Sequence, residues 1–332
     1  MKVAYLYVPG FSGNEIFKNE GRKDGQNSFF IQLKQAFLKK RILLSADPSA
    51  ESVSIVNIYF DPEKHPVGRS VCVLWEHPAI VGTRSISYLR KFTHVLAWHR
   101  KYLNADIRPV FYLFPTPDYD SQLLELSGSS DRNPAICIIN SNKFSPKFSF
   151  YEGYSQRLRI IVKLNSLGCR VDLYGMQWDV GPRAVIPYGG VLSKLFSSLN
   201  ANQLFKRISM RHFKGTPISK SDVLHRYTFC LVVENYIAEN YITEKIFDSM
   251  ASGAIPIYLG APNIESFVPK ECFINASKFK NIEALSIFVK QLGPADIEQY
   301  RYNALKFIKQ FSTGEHSSIH FAEKIVFQML GL

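Results

Sequence analysis

The stretch VVENYIAENYITEKIFDSMASGAIPIYLG, residues 232–260, joins two apolar runs through a polar turn and a helical segment. The first run continues FCLVV (229–233) and the last is AIPIYLG (254–260). Short apolar runs separated by a helix predict two parallel strands of an α/β sheet. The turn holds the side chains of Glu234, Asn235, Glu239, Asn240, Glu244 and Lys245. Because ligands bind beyond the carboxyl ends of parallel strands, this turn stands where a ligand is expected.

The same alternation of apolar runs and helical segments continues along the chain. In the first third, strands are predicted at 2–8, 52–60, 70–75, 93–98 and 107–114, and an amphipathic helix at 26–40. In the second part, further strands are predicted at 135–140 and 169–175, and helices near 153–167, 243–252, 294–311 and 319–330. Gly, Ser, Asp and Pro crowd the end of 116–134, which is therefore the predicted linker.

The length of 332 residues suggests two domains of ordinary size. We predict an α/β protein of two Rossmann-like domains facing across a cleft, with domains at 1–130 and 131–315. The C-terminal helix, 316–332, is expected to pack back on the first domain rather than lie on a membrane. The chain contains neither GxGxxG after its first strand nor GxxxxGK[ST], which excludes the usual dinucleotide and P-loop interpretations.

The chain is basic, with 40 Lys and Arg against 28 Asp and Glu and a net charge of +12. This excess favours contact with nucleic acid, an anionic membrane surface or a phosphorylated small molecule, and a merely basic surface explains it equally well. The basic residues do not form one stripe and no nucleic-acid motif is present, so we expect no nucleic-acid partner. Peripheral contact with a membrane stays open.

The cysteines are odd in number and widely separated: Cys72, Cys137, Cys169, Cys230 and Cys272. No pair has metal-ligand spacing, which indicates reduced core thiols in a reducing compartment. The start, MKVAYLYVPGFSGN, lacks the apolar region of a signal peptide, and no stretch approaches the ~20 apolar residues that span a bilayer. We therefore expect a soluble, cytoplasmic protein without a transmembrane segment.

Lys245 is the unusual member of the segment TEKIFDSMAS, in which Thr243 is a natural N-cap and Gly253 a natural C′ residue. A cation in the first helical turn opposes the helix dipole by roughly 0.3–1 kcal/mol. An anion docked at the helix N-terminus, above all a phosphate, would explain it. The alternative is an exposed helix lysine.

The neighbouring polar residues have two interpretations each. Glu244 could accept hydrogen bonds from sugar hydroxyls, or it is a favourable acid in the first turn. Asn235 and Tyr241 could contact a nucleoside, or they close the loop internally. These residues point to a binding site only as a set.

The segment 226–279 resembles the signature of the α1,3/4-fucosyltransferase family (glycosyltransferase family 10). The block RYTFCLVVENYIAENYITEKIFDSMASGAIPIYLG…CFI resembles its pattern Y-K-F-x-L-x-F-E-N-S, D-Y-V-T-E-K, A-G-A-V-P-V-x-L-G and F-I. INSNKF…R…CRVDLYG (139–175) is similar to its S-N-C…R…D-x-Y-G segment, and VLWEHP…FTHVLAWHRK (73–101) to its E-S-P…F-N-W-T-x-S-Y-R-R segment. Together these cover about half the chain, densely only in the second domain. Tyr236, Val233 and Asn240 depart from the pattern.

The resemblance implies a GT-B fold with an acceptor-binding first domain and a donor-binding second domain. It implies transfer of L-fucose from GDP-fucose with inversion, with no cofactor and no catalytic metal. By similarity, Arg157 and Lys245 hold the diphosphate, and Glu244, Asn235 and Tyr241 contact ribose and donor. Glu76, at the E-x-P position, is the implied general base. Its alternative is a strand-end carboxylate without a catalytic role.

The resemblance also implies an oligosaccharide acceptor. The family's default is GlcNAc in an N-acetyllactosamine-like unit, joined through an α1,3 linkage, and the lack of an anchor resembles the soluble bacterial type. Two other interpretations remain. One is the same fold with a different GDP-sugar donor, and the other is a non-catalytic carbohydrate-binding relative.

Overall fold

The computed structural model describes residues 1–18, 27–62, 64–77, 85–99, 110–111, 119, 131–144, 151–179, 183–184, 211–311 and 317–330. The chain divides into two compact units. Unit 1 comprises Met1–Asp118 and Phe311–Leu332, and unit 2 comprises Tyr119–Gln310. The sequence predicts the boundary at 130/131 rather than at 118/119. Most of the predicted linker 116–134 lies outside the described residues, which include only 119 and 131–134 of it.

Unit 1 is built on a parallel sheet. Its strands are β1 (Lys2–Tyr7), β2 (Ile42–Ser45), β3 (Val56–Phe60), β4 (Ser70–Leu74), β5 (His94–Ala97) and β6 (Val110–Phe111). Their order is β2-β1-β3-β4-β5-β6, and every neighbouring pair is parallel. The helices are α1 (Ser28–Lys39), α2 (Ile86–Leu89) and α8 (Ser318–Leu330).

Two features of unit 1 differ from the sequence prediction. The strand predicted at 52–60 begins only at Val56, because Pro48–Val53 forms a 3-10 helix in which the Asp47 side chain accepts the amide of Ser49. β2 follows α1 almost directly and was not predicted, since it is only four residues long. Of the strand predicted at 107–114, only Val110–Phe111 belongs to the described residues.

Helix α8 packs on α1 within unit 1. Its apolar stripe is buried, and the Phe321 ring lies 5.2 Å from that of Phe29 and 6.2 Å from that of Trp75, centroid to centroid. The stripe is therefore part of the core of this unit. Within the described ranges, no helix combines the length and the apolar character needed to cross a bilayer.

Unit 2 is built on a second parallel sheet. Its strands are β7 (Asn133–Ile139), β9 (Val171–Tyr174), β11 (Tyr227–Val233), β12 (Ile255–Leu259) and β13 (Ile274–Asn275), and β8 (Lys143–Phe144) pairs separately with β10 (Arg183–Ala184). The sheet order is β13-β12-β11-β7-β9, with all pairs parallel. The helices are α3 (Gly153–Ser166), α4 (Lys220–Leu224), α5 (Glu244–Ala251), α6 (Ile282–Gln291) and α7 (Pro294–Phe311). The sequence did not predict α6 or β13.

The connections of unit 2 run in two directions from the middle of the sheet. From β7 the chain passes through α3 to β9 on one side, and from β11 it passes through α5 to β12 on the other. Right-handed crossovers in opposite directions place α3 and α5 on opposite faces. The sheet therefore has its topological switch point between β7 and β11, where ligands bind in such folds.

Candidate functional site

The polar turn of unit 2 lies at this switch point. β11 ends at Val233 and α5 begins at Glu244, so the turn comprises residues 234–243. The turn lies beyond the carboxyl end of β11, as the strand pattern predicts. The predicted residues Asn235, Tyr241, Glu244 and Lys245 therefore all follow the end of this one strand.

Glu234 is the centre of the turn. Its side chain is fully buried, with 0 % exposed. Oε1 accepts the amide N–H of Thr243 at 2.8 Å, and Oε2 accepts the Thr243 hydroxyl at 2.8 Å and the Lys245 ammonium at 3.1 Å. A buried carboxylate is tolerated only when it is paired and hydrogen-bonded, and the start of α5 supplies these partners. The sequence predicts no particular role for Glu234, although its place directly after a buried strand is a signal that could have found it.

Thr243 occupies the N-cap position of α5 with extended φ and ψ of −102° and −177°. Its hydroxyl makes no hydrogen bond to the helix amides and donates to Glu234 instead. The predicted N-cap position is therefore confirmed, although the side chain makes no capping hydrogen bond. The first amides of α5 lack the acceptor that this residue type usually provides, which leaves a setting favourable to an anion.

Lys245 is held by its neighbours in this network. Its Nζ donates to Glu234 Oε2 at 3.1 Å and to Thr243 Oγ1 at 2.8 Å, and 18 % of the side chain is exposed. From the sequence, a docked anion is the expected reason for a cation at this position. The structure shows that Glu234 supplies an anion of the protein's own, which offsets the unfavourable dipole interaction of about 0.3–1 kcal/mol.

Glu244 is half-buried at the first position of α5. Burial raises the pKa of its carboxyl, but the charges of Lys245 and Lys220 lower it, and the pKa lies below its ordinary value of 4.5. The group is therefore ionised at neutral pH. An ionised carboxylate only accepts hydrogen bonds, as binding of sugar hydroxyls requires.

Asn235 contributes its main chain to the packing of α3. Its carbonyl accepts the N–H of Gly153 at 3.0 Å. A Cβ at Gly153 would lie 1.7 Å from the carbonyl oxygen of Glu234. Only glycine allows the start of α3 to approach the turn this closely. The Asn235 side chain is half-buried.

The second half of the turn is hydrogen-bonded to the loop that follows β12. Asn240, at a φ of +64°, donates its amide N–H to Asn263 Oδ1 at 2.9 Å, and Asn263 Nδ2 donates to Asn240 Oδ1 at 2.9 Å. Asn tolerates a left-handed conformation better than most residues. Tyr241 follows with 1 % of its surface exposed, so its ring belongs to the interior of unit 2.

Arg157 lies on α3 and is buried, with 2 % exposed. Its Nη2 donates to the carbonyl of Val233 at 3.2 Å and Nη1 to that of Ser141 at 3.4 Å, while the guanidinium lies 5.5 Å from the centroid of the Tyr154 ring. Burial lowers the pKa of Arg157 to about 10, so it remains protonated at neutral pH. Its Nε has no hydrogen-bond partner within the described structure. The fold thus places the guanidinium of Arg157 against the carbonyl of Val233, the residue that precedes Glu234.

Glu76 belongs to unit 1, two residues after β4. Its side chain is half-buried, and its amide N–H donates to Asp61 Oδ2 at 2.8 Å. Asp61 also accepts the amide of Trp75, at 2.9 Å. Asp61 is not among the residues predicted from the sequence, because its contacts join residues that follow different strands.

Comparison with known families agrees with the resemblance in sequence. Residues 147–323, more than half of the chain, match the family model for the C-terminal region of glycosyltransferase family 10 (fucosyltransferase). The chain belongs to glycosyltransferase family 10. The matched region contains the predicted donor-side residues Arg157, Asn235, Tyr241, Glu244 and Lys245. Glu76 lies outside it.

Curated fucosyltransferases match over a short region. The chain is 41 % identical over 81 residues to an alpha-(1,4)-fucosyltransferase of Arabidopsis thaliana, covering 24 % of this chain and 20 % of that protein. It is 40 % identical over 86 residues to the alpha-(1,3)-fucosyltransferase FucT of Helicobacter pylori, covering 25 % and 18 %. The alignments thus span about a fifth of these relatives.

Solved structures resemble this family 10 protein over its whole length. A crystal structure of an alpha1,3-fucosyltransferase with GDP-fucose has a TM-score of 0.54 at 16 % identity and covers 100 % of this chain and 90 % of that one. A sucrose-phosphate synthase from Thermosynechococcus elongatus has a TM-score of 0.57 at 12 % identity, covering 99 % of each chain. These similarities concern the fold, and they confirm the predicted GT-B class.

Proposed function

We propose that this protein transfers L-fucose from GDP-fucose to a hydroxyl group of a glycan acceptor, with inversion and without a metal ion. The observation that carries the proposal is the Glu234–Thr243–Lys245 network at the carboxyl end of β11 and the N-terminus of α5. It holds a cation beside a helix N-terminus at the switch point of a parallel sheet, a setting suited to a phosphate. Membership of a fucosyltransferase family supports the same donor.

In this proposal unit 2 binds the donor. Lys245 and Arg157 interact with the diphosphate, and Glu244 and Asn235 contact ribose and the rest of the donor. Tyr241, for which the resemblance implies a donor contact, instead packs inside unit 2 and supports the turn. Both cations are oriented before binding, Lys245 by Glu234 and Arg157 by the carbonyls of Ser141 and Val233. Preorganised charges need little reorganisation when the reaction occurs, which is the main source of electrostatic catalysis.

The chemistry follows from these charges. The bond between fucose and the β-phosphate oxygen breaks, the sugar develops oxocarbenium character, and negative charge grows on the β-phosphate. Lys245 and Arg157 stabilise that charge. Glu76 of unit 1 takes the proton of the acceptor hydroxyl as it attacks the opposite face of the sugar, so the configuration inverts.

The acceptor of the proposal is GlcNAc in an N-acetyllactosamine-like unit, forming an α1,3 linkage. The relatives named as alpha-(1,3)-fucosyltransferases support this linkage by analogy. In the resembling segment of unit 1, His77 stands between Glu76 and Pro78 where the family pattern has Ser. An acceptor array that includes N-acetyllactosamine and its isomers tests this part separately.

Calorimetric titration in EDTA tests the donor site. GDP and GDP-fucose should bind the parent without metal and more tightly than UDP-galactose, and Lys245→Ala should lose about tenfold or more of the GDP affinity. Lys278→Ala is the matched control, because Lys278 also pairs with a glutamate, Glu265 at 3.4 Å, but is 65 % exposed. If both variants bind GDP like the parent, Lys245 does not hold the diphosphate. A preference for GDP-mannose would favour the alternative of a different GDP-sugar donor.

Single-turnover and steady-state kinetics of Glu76→Gln test the proposed base. Loss of a general base typically lowers kcat about 10²-fold or more, and KM for GDP-fucose should stay unchanged because the donor binds to unit 2. Glu15→Gln is the control, an acid of unit 1 whose side chain is 73 % exposed. Donor binding without any turnover in the parent would instead support a non-catalytic carbohydrate-binding relative.

A further inference from the structure

Asp61 directly follows β3 in unit 1 and has an unusual conformation. Its φ is +38°, and 8 % of its surface is exposed. Positive φ is uncommon outside glycine, and Asp and Asn adopt it more readily than other residues. Its own amide donates to the carbonyl of Val73 at 2.9 Å, which ties it to the end of β4.

The carboxylate of Asp61 accepts two successive main-chain amides of the segment that carries Glu76. Oδ1 accepts the N–H of Trp75 at 2.9 Å and Oδ2 that of Glu76 at 2.8 Å. Hydrogen bonds to a charged acceptor are roughly twice as strong as neutral ones. Two oxygens of one rigid group on two adjacent amides fix the direction of the chain at this point.

The peptide group between Trp75 and Glu76 is also held at its other polar atom. Its carbonyl oxygen accepts Nε1 of Trp98 at 2.9 Å, and Trp98 is 1 % exposed after β5. The Trp75 ring stacks on Phe29 with 5.7 Å between centroids. Asp61, which follows β3, and Trp98, which follows β5, therefore fix the orientation of the peptide group between Trp75 and Glu76 by hydrogen bonds.

We propose that Asp61 is a positioning residue for Glu76, and that this is why a buried carboxylate stands at a left-handed position at the end of β3. The inference rests on the proposed function, in which Glu76 is the base. A base works only within hydrogen-bond reach of the proton it removes, and a displacement of about 1 Å can cost about a hundredfold in rate. Asp61 acts by fixing the main chain of Glu76, while the Glu76 side chain contacts the acceptor.

The test is a double-mutant cycle of Asp61→Asn with Glu76→Gln in the full chain. Asn fits the positive φ and keeps one acceptor oxygen, but it turns an NH2 group towards the second amide. We expect Asp61→Asn to lower kcat by between about tenfold and a hundredfold with KM for GDP-fucose unchanged. In the Glu76→Gln background it should have no further effect on kcat, because its role runs through Glu76.

Two further variants make the result decisive. Trp98→Phe removes the donor on the other side of the same peptide, and should give a smaller loss that also disappears in Glu76→Gln. Asp47→Asn is the control, since Asp47 accepts the amide and hydroxyl of Ser49 at 2.9 and 2.7 Å in the same unit but away from Glu76 in the strand order. It should leave kcat unchanged.

The outcomes separate this inference from the proposed function. If the parent transfers no fucose, or Glu76→Gln is as active as the parent, the proposed function fails and Asp61 has no base to position. If Glu76→Gln is impaired but Asp61→Asn keeps full kcat, or lowers it equally in both backgrounds, only the role of Asp61 is overturned.

Discussion

The ammonium of Lys245 and the carboxylate of Glu234 form an ion pair of 3.1 Å in which the carboxylate is completely buried. Another Glu–Lys pair of unit 2, Glu265 with Lys278, has a similar distance of 3.4 Å but is 36 % and 65 % exposed. The two pairs differ chiefly in their access to water. Because water screens charges strongly, their contributions to stability should differ several-fold.

We expect Glu234→Ala to lower the free energy of unfolding by about 3–5 kcal/mol, because it leaves a partly buried ammonium and two Thr243 donors without their acceptor. Glu265→Ala should cost about 0–1 kcal/mol. Urea denaturation of both variants measures the difference. Equal losses would mean that burial does not distinguish the pairs and that Glu234 is not the centre of the turn.

Gly153→Ala should damage the site without removing any polar group. The added Cβ would lie 1.7 Å from the carbonyl oxygen of Glu234, so the main chain of the turn or of α3 must move. Overpacking of this kind typically costs about 1–3 kcal/mol, and we expect weaker GDP binding in calorimetry as well. Gly293→Ala is the control, since its Cβ would lie 3.5 Å from Asp296 Oδ2, an ordinary contact. A stable Gly153→Ala variant with normal GDP affinity would show that the close approach is not required.

Asp172 should make stability depend on pH in the acid range. Burial raises the pKa of Asp172, but hydrogen bonds from Arg170 and Tyr227 lower it, and the pKa lies below the ordinary value of 3.8. The carboxyl of Asp172 therefore binds a proton more tightly in the unfolded chain than in the folded one. The stability that the ionised carboxylate contributes is complete above the unfolded pKa of 3.8, and it is lost as the pH falls through the lower pKa of the folded state. The parent should exceed Asp172→Asn in free energy of unfolding near neutral pH, and the difference should shrink below about pH 3.8.

Urea denaturation between pH 3 and 7 measures this dependence. Arg170→Met should flatten it, because Arg170 donates two hydrogen bonds to Asp172 at 2.9 and 2.8 Å. Arg226→Met should not, because Arg226 Nε donates to a carbonyl, that of Asp222. A difference that stays constant down to pH 3 would contradict a lowered pKa at Asp172.

The cysteines should be unreactive until the protein unfolds. All five are free and buried, which keeps reagents away from them, and burial raises the pKa of Cys272 to about 12, so little thiolate forms at that residue. A thiol reagent such as DTNB should label the native protein slowly and reach five thiols per chain in urea without a reductant. Fewer than five would reveal a disulfide.

Much of the fold could be predicted because it depends on local periodicity. Segments such as 153–166 and 294–311 alternate with short apolar runs, and the structure places α3 and α7 there. The strand predicted at 52–60 was partly wrong because Pro48 and Asp47 start a 3-10 helix before it. The candidate site is a prediction from the rule that ligands bind at the carboxyl ends of parallel strands.

The contacts within the site could not be predicted, because they join residues that only the folded chain brings together. Thr243 has the residue type of a helix cap, yet Glu234 takes its hydroxyl. Asp61 meets Trp75 and Glu76 because β3 and β4 pair side by side, with Phe60 opposite Val73. Each of these carboxylates directly follows a buried strand, which the sequence shows, but the partners that they bind are not visible in it.

Unit 1 is assembled from two distant parts of the chain, and this has a consequence for biosynthesis. The helix α8, whose Phe321 contacts Phe29 and Trp75, leaves the ribosome only after all of unit 2 has been made. Unit 2 is continuous, so its whole sequence is synthesised before the helix that covers Phe29 and Trp75 of unit 1. The sheet of unit 1 is therefore made first, but its core can be completed only last.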